Sequence, residues 1–173
     1  MIKQQTSEEI EKDYVELFVN YNNFLSDKWK TPFLFETWNW EGDETVLPYK
    51  LLYLTKLSPI SSLYSEAKLK EILRNNYYNN SKFDKKSFFF ITHRSDTAGC
   101  VYLNYKQEEN IFVIDFLIVN GKKYSNRGVE QALINLAINK ALEKKDRPII
   151  KFNKSTTNIK LDEILNSMGL LFK

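Results

Sequence analysis

Between Ser87 and Val119 the chain carries three apolar stretches separated only by short polar turns, and this run constrains the fold more than any other part. Ser87 to Thr92 holds Phe88, Phe89, Phe90 and Ile91 in succession. Aromatic and β-branched runs of this kind favour strands. His93 to Thr97 reads as a turn, Ala98 to Tyr105 as a second strand, Gln107 to Asn110 as another turn, and Ile111 to Val119 as a third strand. Strands joined by turns this short run antiparallel, so a meander is predicted.

A polar loop from Asn120 to Asn126 follows, and then a helix. Val129, Ala132, Leu133, Leu136, Ala137 and Ala141 recur along one side of it. Pro148 to Phe152 reads as a further strand, reached through that helix. A parallel crossover onto the Ile111–Val119 strand is the natural connection. Asn158 to Met168 is a last short helix, with Gly169 where a helix C-terminal glycine belongs. Leu170 to Lys173 begins another strand.

The first half is less legible. Residues 2–5 read as a short strand. Thr6 and Glu9 read as a capping box, after which Tyr14, Leu17, Phe18 and Tyr21 repeat at helical spacing. Residues 27–64 hold all three tryptophans and three of the four prolines, so short helices and loops are expected. A helix from Ser65 to Arg74 turns Leu69, Ile72 and Leu73 inward. The whole chain, 1–173, reads as one domain, with a helical, acceptor-side region over 1–86 and a coenzyme-binding core over 87–173.

The net charge of +3 comes from 25 basic and 22 acidic residues mixed along the chain, without the basic stripe of a nucleic-acid binder. No stretch has the length of a membrane helix. The single cysteine, Cys100, cannot form an internal disulfide, so a reducing cytoplasm is the expected compartment. Cys100, inside a strand, reads as a small core residue. The single histidine, His93, reads as an exposed turn residue. It has no partner at metal-ligand spacing, and no metal is expected. Phe35, Trp38, Trp40 and Tyr49 read either as an acceptor pocket or as packing under a long loop.

The chemistry is expected where strand, loop and helix meet. A helix N-terminus offers unpaired N–H groups and the positive end of a dipole, a ready site for phosphate. Gly128 would let backbone approach such a ligand closely. Asp115 is the one acid in an apolar strand. Alternation puts it on a face with Val113, Leu117 and Val119, either ion-paired or working as a base.

Ile114 to Val119, the loop, and Ser125 to Leu133 resemble the central motif of the GNAT superfamily of acyl-CoA N-acyltransferases. Ser155 to Asn158 and Met168 to Leu170 resemble that family's later segment. The resemblance covers about residues 87–172. It implies a mixed, mostly antiparallel α/β sheet flanked by helices on both faces, with a splayed gap between the Ile111–Val119 and Pro148–Phe152 strands for a pantetheine arm. It implies acetyl-CoA or another acyl-CoA as co-substrate. The diphosphate would lie on backbone of Ser125, Asn126, Arg127, Gly128 and Val129. Leu117, Ile118 and Val119 would supply N–H groups to the thioester carbonyl, and Asn158 would belong to the same site. Asp115 would be the general base, acting directly or through water. An acyl group, acetyl in the first instance, would pass to a primary amine.

Three positions depart from the family pattern. Ser125 stands where Arg or Gln is usual, Glu130 where a second small residue is usual, and Leu165 where many members carry a proton-donating tyrosine. Arg127 to Leu133, with Ile114 and Asp115, also resembles the GNAT-like domain of glyceryl-carrier-protein synthases. That resemblance makes a carrier-protein-linked biosynthetic acyltransferase the first alternative, with a carrier protein beside a small molecule as acceptor. A non-catalytic coenzyme-binding or assembly protein is the second. With Lys173 following the start of a strand, one further family strand is missing. A homodimer joined along that edge is expected, the alternatives being cover by the N-terminal region and a wet edge.

Overall fold

The computed structural model describes residues 13–39 and 47–172. Seven strands make one sheet: β1 (Tyr14–Phe18), β2 (Phe35–Asn39), β3 (Phe88–His93), β4 (Asp96–Lys106), β5 (Ile111–Val119), β6 (Ile150–Asn153) and β7 (Leu171–Phe172). Among the described residues five α-helices accompany them: α1 (Leu47–Thr55), α2 (Glu66–Leu73), α3 (Gly121–Tyr124), α4 (Val129–Lys144) and α5 (Leu161–Ser167). The sheet order is β2-β3-β4-β5-β6-β1-β7.

The predicted meander forms. β3 pairs antiparallel with β4, and β4 with β5 over the length of Ile111–Val119. The crossover through α4 brings β6 parallel to β5, as the helical connection requires. β2 joins the other side of β3, so the first half of the chain contributes strands as well as helices.

The N-terminal expectation is corrected. Tyr14 to Phe18 is a strand and not part of a helix. The segment fits two periods, since Tyr14, Leu17, Phe18 and Tyr21 match a helix while Val15 and Leu17 alternate as in a strand. The tertiary context decides. β1 pairs antiparallel with β6 on one side and β7 on the other, so its backbone groups are satisfied in both directions. Its register sets Val15 beside Phe152 and Glu16 opposite Lys151. β1 thus lies between β6 and β7, so the N-terminal region covers the edge of β6 from within the chain. The strand predicted over 2–5 and the capping box at Thr6 and Glu9 lie outside the described residues.

Two buried clusters cover the two faces. One joins Leu117 and Val119 of β5 to Leu133, Ile134 and Ala137 of α4 and to Leu165 of α5. The other joins Phe116 and Ile118 to Leu51 and Leu54 of α1 and Leu73 at the end of α2. Each fully buried side chain of this size contributes about 1.5–3 kcal/mol of burial free energy. α2 starts as predicted, with the Ser65 hydroxyl accepting from Lys68 N–H at 3.3 Å. Gly169 has φ +69°, the left-handed value that ends α5.

Candidate active site

β4 and β5 change register between Tyr102 and Leu103: Tyr102 faces Phe116, but Leu103 faces Ile114. Asp115 is the residue left over, a β-bulge. The bulge resets the side-chain alternation. Leu117 and Val119 point to the α4 face, while Asp115 lies toward Tyr77 and Tyr102 on the opposite face, whose hydroxyl pKa values are raised chiefly by burial and further by the Asp115 charge. The predicted face for Asp115, shared with Leu117 and Val119, is therefore wrong, because one inserted residue inverts the period.

The bulge also parts β5 from β6. Their parallel pairing stops at Ile114 with Phe152 and resumes only as a single bridge between Leu117 and Thr157. Asp115 and Phe116 on β5 therefore span the same gap as residues 153–156. The half-buried Asp115 carboxylate accepts a hydrogen bond from Asn153 Nδ2 at 3.0 Å, and the Asp115 carbonyl accepts one from the Thr156 hydroxyl.

Beyond the bridge, Asn158 closes what the sequence predicts as an open gap. Its Oδ1 accepts from Val119 N–H at 2.9 Å, and its Nδ2 donates to Val119 C=O at 2.7 Å and to Leu57 C=O at 3.3 Å. Both backbone groups of Val119 are therefore taken up by one side chain. Leu117, Ile118 and Val119 themselves are almost fully buried.

The loop after β5 is built for close backbone approach. Asn120 N–H continues the ladder to Ala98 C=O at 2.8 Å, and Asn120 Nδ2 donates to Tyr53 Oη at 3.1 Å. Tyr124 Oη and Lys123 Nζ both donate to Asp96 Oδ2, at 2.6 and 2.5 Å, which ties α3 to the start of β4. Both donors hold the Asp96 carboxyl below its ordinary pKa, Lys123 more strongly. Ser125, Asn126 and Arg127 are exposed. Asn126 and Gly128 take left-handed φ values of +59° and +81°. Asn and Gly tolerate that region best. Val129, buried, begins the 16-residue α4. The N–H groups of Asn126, Arg127, Gly128 and Val129 make no hydrogen bond of ordinary geometry among the described residues.

The same loop departs from a simple phosphate cradle. Pro32 Cγ lies 3.5 Å from where a Cβ on Gly128 would stand, and the Arg127 guanidinium sits 5.8 Å from the Phe35 ring centre. Glu130, in the first turn of α4, is buried. Burial pushes its carboxyl pKa up, against a bond from its own N–H.

The remaining candidates resolve plainly. Leu165 is fully buried in the core and has no proton to give. Cys100 is fully buried, and burial holds its thiol pKa well above the usual value. His93 is half-buried and not an exposed turn residue; its ring packs 5.0 Å from Phe35 and 6.0 Å from Tyr124. Trp38 stacks on Phe90 at 4.7 Å, and Trp40 lies outside the described residues. Tyr53 and Leu57, which meet Asn120 and Asn158, have no distinguishing sequence signal within 27–64. Among the described residues no group of His, Cys, Asp and Glu gathers at metal-ligand spacing, and no helix is long and apolar enough to cross a membrane.

No family model matches the sequence, and no curated protein matches it significantly. Solved structures do match. A GCN5-related N-acetyltransferase from Sphaerobacter thermophilus superposes with a TM-score of 0.58 at 10% identity, over 92% of this chain and 48% of that one. A tandem GNAT protein from the clavulanic acid biosynthesis pathway gives 0.52 at 9% identity, over 93% and 50%. A possible acetyltransferase from Clostridium difficile gives 0.52 at 15%, over 79% and 90%. The chain spans about half the length of the first two of these proteins. With its mostly antiparallel open sheet, its parallel β5–β6 pair and helices on both faces, the chain has the GNAT acetyltransferase fold.

Proposed function

We propose that the protein is an acyltransferase that moves an acyl group, acetyl in the first instance, from a pantetheine thioester such as acyl-CoA to a primary amine. The observation that carries this reading is Asp115. Its carboxylate stands in the break between β5 and β6, held at one oxygen by Asn153. A half-buried carboxylate with a fixed orientation beside a groove is suited to act as a general base.

In the proposed reaction the neutral amine attacks the thioester carbonyl carbon. The C–N bond forms, the C–S bond breaks, and the sulfur leaves as thiolate. The amine proton passes to Asp115, directly or through one water. The thiolate takes a proton from water, since Leu165 supplies none. The N–H groups of the Leu117–Val119 stretch would polarise the carbonyl once Asn158 has released Val119. α1 and α2, on the face toward which Asp115 points, would border the acceptor.

Incubation with S-acetylpantetheine or acetyl-CoA and a panel of primary amines, read by mass spectrometry, tests the reading. Acetylated amine supports it; no product from either donor would remove it. A non-catalytic reading is favoured by one observation, the Asn158 bridge across the groove, and would show as donor binding without turnover.

A further inference from the structure

Glu130 puts an acid where the fold otherwise gathers donors for an anion. It lies in the first turn of α4, two residues after Gly128, and only 7% of its surface is exposed. Its Oε2 is buried without a hydrogen-bond partner, and among the described residues no cation pairs with it. Burial pushes its carboxyl pKa up, and its own backbone N–H opposes this more weakly. Meanwhile the N–H groups of Asn126 to Val129 make no hydrogen bond of ordinary geometry among the described residues. When ionised, this carboxyl puts one negative charge at the helix end, and a second group carrying two more meets repulsion in a place shielded from water. A pantetheine arm is uncharged and meets none.

We propose that Glu130 makes this chain selective among thioester donors: it disfavours a donor that brings a diphosphate to the start of α4 and favours a pantetheine thioester without one. This rests on the acyl-transfer reading above. The bonds made and broken are the same for either donor, and only the far end of the donor is sorted.

The test compares acetyl-CoA with S-acetylpantetheine on the wild-type protein, Glu130→Gln and Glu130→Ala. The readouts are kcat/KM for each donor and calorimetric Kd values for CoA and pantetheine. Glu130→Gln keeps the shape of the side chain, and a thermal melt of each variant confirms folding. The wild-type protein should use S-acetylpantetheine at least as well as acetyl-CoA. Both substitutions should raise the acetyl-CoA to S-acetylpantetheine ratio of kcat/KM by about tenfold or more, with CoA binding tightening in step. A wild-type preference for acetyl-CoA, or a ratio that folded variants leave unmoved while both donors react, overturns the role of Glu130 and leaves the acyl-transfer reading standing. Neither binding nor transfer with either donor in any of the three proteins overturns the acyl-transfer reading itself, and the donor selection with it.

Discussion

Asn158 pairs its side-chain amide with both backbone groups of Val119, accepting from the N–H at 2.9 Å and donating to the C=O at 2.7 Å. One side chain thereby does what a strand neighbour would do, at the point where β6 has turned away from β5. The bonds span 39 residues of sequence, and the third, to Leu57, spans 101. Asn158 therefore links β5, the turn before α5 and the segment after α1.

Asn158→Leu removes all three bonds and leaves the Val119 groups without partners. A buried unsatisfied backbone group costs about 1–3 kcal/mol. The variant is expected to lose stability in that range, and its Val119 amide to exchange with solvent deuterium much faster. Unchanged exchange at Val119 would mean that the amide is protected by something other than Asn158.

Gly99, on β4, lies under Leu133 of α4. A Cβ there would meet Ile118 O at 2.8 Å and Leu133 Cδ1 at 3.0 Å. The first of these is backbone in the middle of a sheet and cannot yield cheaply. Gly99→Ala is expected to cost about 1–3 kcal/mol, the usual range for overpacking. Urea denaturation gives the value, and a midpoint equal to wild type would show that the sheet and α4 both give way here without penalty.

Much of this was legible in the sequence, for reasons particular residues supply. Ile111 to Val119 is apolar nearly throughout, so its ends fall where the apolar run ends. Gly128 and Gly169 occupy left-handed positions that their places beside helices suggested. The bulge at Asp115 was not legible. It depends on how Tyr102 and Leu103 meet β5, and nothing local to Asp115 encodes that register. β1 was misread because Tyr14 to Phe18 suits two periods, and the open edge of β6 that selects one of them lies more than a hundred residues away. Gly128 and its loop were predicted; that Pro32 would pack beside Gly128 was not.

Asp96 gives the loop after β5 a pH dependence. Its carboxyl pKa is lowered chiefly by the Lys123 hydrogen bond and next by that from Tyr124. A depressed folded-state pKa contributes stability that is present above the unfolded value of about 3.9 and is lost as pH falls through the lower folded value. Wild type is therefore expected to exceed Asp96→Asn in stability at pH 7, with the difference shrinking below about pH 4. Urea midpoints for both proteins across pH 3 to 7 would show it, and a difference that stays constant with pH would assign Asp96 a purely steric role.

The central claim, that Asp115 is the base of an acyl transfer, is tested most directly by the pH–rate profile of Asp115→Asn beside wild type, with a pantetheine thioester and an accepting amine. Loss of a general base costs about 10²–10⁴-fold. The account predicts a fall of about 100-fold or more in kcat, with donor affinity unchanged within about twofold. Equal rates in the two proteins at every pH would contradict it and return Asp115 to a structural role as the bulge residue that Asn153 holds.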